Sequence, residues 1–341
     1  MKPHIFLGKF PVFCLMMFMF LFGYAFYHER RKALIRWIPN SVKLQESAKG
    51  KPRRVNNLTY PAFQHPLAPP YPYPYKFIIN QPDKCKNRKP FLVLAVLVES
   101  QDWESRHTIR DTWGNESLYD VDVIRIFLVG LPVGTANRTQ QLLEESEAFG
   151  DIIQQDFMDT YYNLTLKTLM GMEWVTKFCL SASYVMKIDS DMFLNVDYLV
   201  HKVLHPNKPV HQNYFTGYIL GGGSPQRDPA FKWYVPKEVY PYDTYPPYCA
   251  GPGYLFSVDM AKKIHEVSQE IRVIPMEDVF MGICLHELHI LPTEPPPGKF
   301  NHQKIDYDLC KFKNLVTVHH YEKEELRTVW ADFWTKKSQQ C

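Results

Sequence analysis

Apolar runs of strand length, without alternation, recur along the first half of the chain, and segments with helical spacing separate them. FLVLAVLV, residues 91–98, carries no polar residue, as expected of a strand covered on both faces. ESRHTIRDTWG (104–114) sets Arg106 and Arg110 four apart on one face and ends in Gly114, which predicts a helix. VIRIFLVG (123–130) reads as a second buried strand, TQQLLEESEAFG (139–150) as a helix and DIIQQDF (151–157) as a third strand. LTLKTLMGMEWVTKFC (164–179) gathers Leu166, Leu169, Met170, Trp174, Val175 and Phe178 on one stripe, and YVMKI (184–188) follows as a strand. This βαβα alternation predicts an α/β fold, a mostly parallel sheet flanked by helices. Beyond Asn195 the pattern loosens, and GGGSPQRDPAFKWYVP (221–236) and YPYDTYPPYCAGPGY (240–254) read as long loops, which in a compact domain are usually functional.

The N-terminal pattern is different. FPVFCLMMFMFLFGYAFY (10–27) has no charge, follows Lys2 and Lys9, and precedes HERRK. It reads as an uncleaved transmembrane signal anchor, the alternative being a cleaved signal with a weak small-x-small site at Gly23 and Ala25. Residues 1–9 are then a short tail, 28–75 a Pro-rich stem ending in PAFQHPLAPPYPYPYK, and 76–341 a single catalytic domain. Flanking charge alone would leave the bulk of the chain in the cytosol, because Arg30, Arg31, Lys32 and Arg36 outnumber Lys2 and Lys9. Sequons at Asn57, Asn115, Asn137 and Asn163 argue for a lumenal domain instead. So do Cys85, Cys179, Cys249, Cys284, Cys310 and Cys341, an even set suited to disulfides, with no pairing assigned. At 341 residues and 45% hydrophobic content the chain buries a sizeable core, while a formal net charge of +3 gives no nucleic-acid footprint.

Candidate chemistry gathers at element ends. Asp189 and Asp191 stand one serine apart where the YVMKI strand stops, and ligands in open α/β sheets bind at that end of the strands. The spacing suits one divalent cation and the phosphate it bridges, although an Asx-turn has the same pattern. Glu277 and Asp278 open an apolar helical segment, either as acids complementing the helix dipole or with one as a general base of raised pKa. In YPPYCAGPGY (245–254), Tyr248 offers a ring while Gly251 and Gly253 permit close backbone approach to a ligand. His319 and His320 end a late strand, as structural residues or as ligands of a Mn²⁺-like ion.

Taken in order, RHTIRDTWG, DTYYNLTLKTLMGMEW, YVMKIDSDMF, NYFTGY, KWYVP, YPPYCAGPGY, EDVFMGICL and VTVHH resemble the β-1,3-galactosyltransferase family across residues 76–341. The likeness is greatest to the group that adds galactose to N-acetylglucosamine. The resemblance implies a GT-A-type domain on the lumenal side of the Golgi membrane, single-pass type II, with Mn²⁺ as cofactor. The implied reaction is an inverting transfer from UDP-galactose to the 3-hydroxyl of an acceptor on a glycoprotein or glycolipid.

By position, Asp189 and Asp191 match the metal motif, His319 the histidine completing it, and Asp278 the base, with Glu277 in support. Arg106, Arg110, Lys167 and Lys187 fall where the family lines the nucleotide pocket. Three stretches depart from the family pattern: Ala250 and Pro252 replace small hydroxyl residues, Gln303 a tryptophan, and Phe280-Met281 a Tyr-Val pair. All bear on sugar contacts and leave the metal motif and base intact. The alternatives are transfer of N-acetylglucosamine or N-acetylgalactosamine on the same fold, and an inactive glycan- or UDP-sugar-binding protein.

Overall fold

The computed structural model describes residues 75–132 and 137–341. The expected anchor at 10–27, nearly all of the stem and Asn57 lie outside the described residues, among which no helix is long and apolar enough to cross a membrane. In chain order the strands are β1 (Phe77–Ile79), β2 (Leu92–Leu97), β3 (Val123–Leu131), β4 (Ile152–Met158), β5 (Tyr184–Asp189), β6 (Met192–Leu194), β7 (Phe215–Leu220), β8 (Tyr248–Ser257), β9 (Phe300–Asn301) and β10 (Thr317–His319). The helices are α1 (Trp103–Asp111), α2 (Asn137–Phe149), α3 (Leu164–Phe178), the short α4 (Val196–Tyr198), α5 (Val258–Ser268), α6 (Glu277–Glu287), α7 (Leu309–Phe312) and α8 (Lys323–Lys336).

Seven strands form one sheet in the order β1-β4-β3-β2-β5-β8-β7, and β6-β10-β9 form a second. β4, β3, β2 and β5 run parallel, as the βαβα pattern predicts; β1, β8 and β7 join antiparallel. From β2 the chain winds outward through β3 and β4 and then returns to pair β5 on the opposite edge of β2. The strand order therefore reverses between β2 and β5, and their carboxyl ends flank the crevice where such sheets bind ligands.

The uninterrupted apolar runs are explained by burial on both sides. Val93, Ala95 and Leu97 of β2 join a core with α3, α5 and α6, while Leu92, Leu94, Val96 and Val98 join another with Trp113, α8 and the small sheet. Trp113 is fully buried and donates Nε1–H to the Met192 carbonyl at 2.8 Å, tying the end of α1 to β6. Gly114 does end that turn, its N–H reaching the Ile109 carbonyl at 2.9 Å.

One expectation is overturned. The CAGPGY stretch is strand, not loop: β8 pairs with β5 from Tyr184↔Ser257 to Ile188↔Gly253, and with β7 on its other side. Between Gly217↔Tyr254 and Ile219↔Cys249 the register shifts, so residues 250–253 of β8 bulge where β7 supplies only Tyr218. Proline is tolerated at such a bulge because the ladder is already broken there, and the bulge re-aims the backbone toward the site.

Four of the six candidate cysteines pair. Cys85–Cys179 joins the segment after β1 to the end of α3, and Cys310–Cys341 joins α7 to the last residue. Cys249 and Cys284 are buried free thiols, packed as small apolar groups in the core. Replacing both Cys85 and Cys179 by alanine opens a loop of sequence separation 94. The unfolded chain gains freedom accordingly, and urea unfolding of that double variant should show a loss of roughly 2–5 kcal/mol.

Candidate active site

A cleft of about 1090 Å³ opens at the reversal point. Its floor is the carboxyl end of β2 and β5, and its walls come from the start of α3, the β8 bulge, the start of α6 and the end of β10. Asp189, Asp191, Lys167, Lys187, Tyr248, Gly251, Glu277, Asp278 and His319 all line it. Residues as far apart as Lys167 and His319, 152 positions along the chain, are thus collected by topology rather than by local sequence, since parallel strands end on the same side of a sheet.

Lys187 is the centre of the floor. It projects from β5 with a side chain only 4% exposed and places Nζ 2.7 Å from Asp189 Oδ1, 2.5 Å from the Gly251 carbonyl and 3.5 Å from Glu277 Oε2. Burial alone would lower its pKa, but the charges of Asp189 and Glu277 outweigh that and raise it. The ammonium thereby donates two hydrogen bonds, to Asp189 and the Gly251 carbonyl, and forms an ion pair with Glu277. Lys167 is held likewise, at 2.5 Å from Asp159 Oδ1 and 2.7 Å from the Val98 carbonyl. Both lysines face the cleft as expected, yet with their charges already compensated.

The two acids of α6 differ in environment. Glu277 is buried, accepts a hydrogen bond from the Tyr254 hydroxyl and faces Lys187; burial pushes its pKa up to about 7, against the pull of Lys187. Asp278 is half-buried at the cleft surface, accepting from the Gly251 N–H at 3.2 Å and the Val279 N–H at 2.8 Å. Burial also raises its pKa, opposed by those backbone donors. Close packing of α6 on β8 sets this arrangement: a Cβ on Gly282 would lie 2.6 Å from Tyr248 Cβ. Tyr248 itself lines the cleft, its phenol pushed up to about 12 by burial and the nearby Asp278.

At the opposite wall, β10 pairs antiparallel with β6 and sets His319 against Met192, which brings its ring to Asp191. His319 Nδ1 lies 3.0 Å from the His302 carbonyl and Nε2 lies 3.1 Å from Asp191 Oδ2. The carbonyl can only accept, so Nδ1 carries a proton; Asp191 favours a second proton on Nε2, raising the His319 pKa against burial, and Nε2 is the nitrogen that would face a metal once that proton is lost. His320 stacks on His319 at 3.7 Å between ring centroids and puts Nδ1 3.8 Å from the same Asp191 oxygen. It does so from a left-handed backbone, φ 63°, a strained conformation for a non-glycine residue. Asp191, His319 and His320 have ligand atoms within 4.8 Å of one another. One carboxylate and imidazoles fit a divalent transition ion. Asp191 is held below the usual carboxylate range because the hydrogen bond and charge of His319 outweigh burial.

Several sequence expectations are redistributed. Asp189 is not grouped with those ligands; its Oδ1 is on Lys187, and burial raises its pKa. Arg106 and Arg110 do not line this cleft. Arg106 forms a two-pronged pair with Glu145, at 2.8 and 2.6 Å, and Arg110 another with Asp151, at 2.9 and 2.8 Å. These are buried structural ion pairs locking α1 to α2 and the start of β4. Gly253 also stands back from the cleft, where a Cβ would press on Met186 Cε at 3.1 Å, so packing beneath the strand accounts for it. Sequence reasoning passed over Tyr254, which holds Glu277, and the His302 carbonyl, which orients His319. Tyr254 was discoverable only by reading β8 as a strand.

Residues 104–296 match the galactosyltransferase family model. The chain is 48% identical over 276 residues to human β-1,3-galactosyltransferase 2, covering 80% of this chain and 65% of that protein. It is 43% identical over 271 residues to mouse β-1,3-galactosyltransferase 1, covering 79% and 82%. The chain thus spans a little under two thirds of the former relative and most of the latter. A solved apo structure of the bifunctional glycosyltransferase WbbM aligns over 74% of this chain and 50% of its own at a TM-score of 0.40 and 11% identity.

The raised Glu277 pKa sets a pH dependence. A carboxyl that titrates near 4.5 when unfolded and near 7 when folded contributes stability that is complete below pH 4.5 and lost as pH rises through 7. Glu277→Gln has no such titration. The stability of the parent relative to this variant should therefore fall by about 3 kcal/mol between pH 4.5 and 7.5, read by urea unfolding at each pH. A flat difference would show that Glu277 is not held in this environment.

Proposed function

Because this chain belongs to the galactosyltransferase family, we propose that it is an inverting β-1,3-galactosyltransferase. It moves galactose from UDP-galactose to the 3-hydroxyl of an acceptor N-acetylglucosamine on a glycoprotein or glycolipid. The observation that carries the reading is Asp278, a carboxylate with raised pKa at the cleft surface, oriented by the Gly251 and Val279 N–H groups. A protein that only bound sugars would have no use for a base so placed.

In this reading Asp278 accepts the proton of the acceptor hydroxyl as its oxygen attacks C1 of the galactose, and attack on the face opposite the leaving group gives the β linkage. Glu277 and Lys187 do not touch the reacting atoms; they fix the start of α6 against β5 and the β8 bulge. Asp191 and His319, with His320, would hold Mn²⁺, and Asp189 faces the same space from the end of β5. When bound, the ion supplies positive charge to the departing diphosphate.

The parallel strands ending at the cleft support a GT-A arrangement for residues 76–341. The two disulfides and the sequons support a lumenal location, hence a type II Golgi membrane protein anchored by residues 10–27 with a stem at 28–75. Among the sequons, Asn163 spends its Nδ2 on the Met158 carbonyl at 2.8 Å at the start of α3. Intact-mass analysis should accordingly find Asn163 unglycosylated.

Product formation with Mn²⁺, UDP-galactose and an N-acetylglucosamine-terminated acceptor, repeated with EDTA and with the other UDP-sugars, tests reaction, donor and metal together. Asp278→Asn should lower turnover by at least about 10²-fold with UDP binding nearly unchanged, whereas Asp191→Ala should lose metal and UDP binding as well. Wild-type turnover in Asp278→Asn would overturn the base assignment.

A further inference from the structure

We propose that Trp233 is the platform on which a pyranose ring of the acceptor glycan stacks, and that Tyr161 is the positioning residue that holds it there. This rests on the transferase reading above. The segment between β7 and β8 is a self-braced loop. The Arg227 guanidinium donates to the carbonyls of Val235, Tyr240 and Tyr242 at 2.7, 2.9 and 2.7 Å, and Gln226 bridges to Tyr234. At its base lie Gly221, Gly222 and Gly223, with Gly222 at φ +73°.

From this braced loop Trp233 stands 57% exposed, although a side chain of that size usually finds burial. It is not left loose. Its Nε1 donates to the Tyr161 hydroxyl at 3.2 Å, and the neighbouring Lys232 ammonium lies 3.7 Å from the centroid of the same Tyr161 ring. Two consecutive loop residues are thus latched to Tyr161, just ahead of α3, and more than half of the Trp233 surface remains exposed.

Trp233 and Tyr161 line the same cleft as Asp278. They belong to its base side: Thr165, in the first turn of α3, donates to the Ile274 carbonyl at 2.7 Å, just ahead of Glu277 and Asp278. The candidate metal ligands occupy another wall, from β6 and β10, where a donor diphosphate would sit. The attacking hydroxyl must approach Asp278, so a sugar carrying it falls on the side of Trp233. An indole face matches the apolar face of a pyranose, and large aromatics give contact area at little entropic cost.

The test uses the full chain in detergent with UDP and Mn²⁺, titrated with an N-acetylglucosamine-terminated oligosaccharide and followed by saturation-transfer NMR beside steady-state kinetics. Trp233→Ala should weaken acceptor affinity and raise acceptor KM about tenfold, with UDP affinity within about twofold of the parent. Trp233→Phe should recover most of the loss. Tyr161→Phe, which keeps the ring under Lys232 and removes the hydroxyl, should raise acceptor KM by a smaller factor and leave kcat alone. Unchanged acceptor affinity in Trp233→Ala overturns the proposal. So does a loss of UDP affinity, which would assign the indole to the uracil base, or failure of the parent chain to bind the oligosaccharide. A parent chain that binds the glycan through Trp233 but transfers no sugar would refute the transferase reading and leave this one standing.

Discussion

The Lys187 ammonium is the interaction on which the site depends. A buried cation is tolerated only when its charge and its donors are met, and here they are met from three elements at once: Asp189 at the end of β5, the Gly251 carbonyl in the β8 bulge and Glu277 at the start of α6. Each of those contacts fixes a neighbour that faces the cleft. Gly251 turns its N–H to Asp278, Glu277 adjoins Asp278 in sequence, and Asp189 is one serine from Asp191. The same knot is reinforced by Tyr254, whose hydroxyl donates to Glu277 and whose ring lies 5.5 Å from the lysine. The candidate base and the candidate metal wall are therefore positioned by one buried charge network that itself performs no chemistry.

This network also shows where sequence reasoning stops. β2 to β5 and α1 to α3 were legible because burial on both faces removes alternation from the strands and leaves a clear stripe on the helices. The position of the aspartate pair followed from that, since a strand's carboxyl end is fixed once the strand is. β8 was not legible: Gly251, Pro252 and Gly253 are the signature of a loop, and only pairing to β5 and β7, with a bulge that needs no ladder bonds at the proline, makes a strand of them. With β8 hidden, the roles of Lys187 and Tyr254 were hidden too, because their partners lie 64 and 23 residues away.

The arginines illustrate the converse. Arg106 and Arg110 share a helical face, as the i, i+4 spacing requires, but the face turns toward α2, and Glu145 and Asp151 complete a buried array with Arg125. Positive charge in a family motif suggests ligand binding, whereas the local chemistry of these two arginines is that of element packing. Sequence spacing reports which residues share a face; it carries no information on what that face meets. The histidines escape this limit only partly: His319 can be placed at a strand end, but the proton on its Nδ1 is held by the His302 carbonyl brought alongside by the small sheet.

The charge of the cleft carries the last step. The chain as a whole is nearly balanced at +3, yet the cleft is not: Glu99, Asp102, Asp159, Asp189, Asp191, Glu277, Asp278 and Glu322 line it with Lys167, Lys187 and Lys232. Lys167 and Lys187 are already compensated by Asp159, Asp189 and Glu277, and Lys232 lies over the Tyr161 ring. A diphosphate entering this space alone would meet an excess of carboxylate in a partly desolvated crevice, where repulsion is far less screened than in bulk water. Arg106 and Arg110, which would have relieved it, are committed elsewhere. A divalent cation between a nucleotide diphosphate and the protein would relieve that repulsion, and among the described residues Asp191, His319 and His320 form a group whose ligand atoms lie close enough together to hold one.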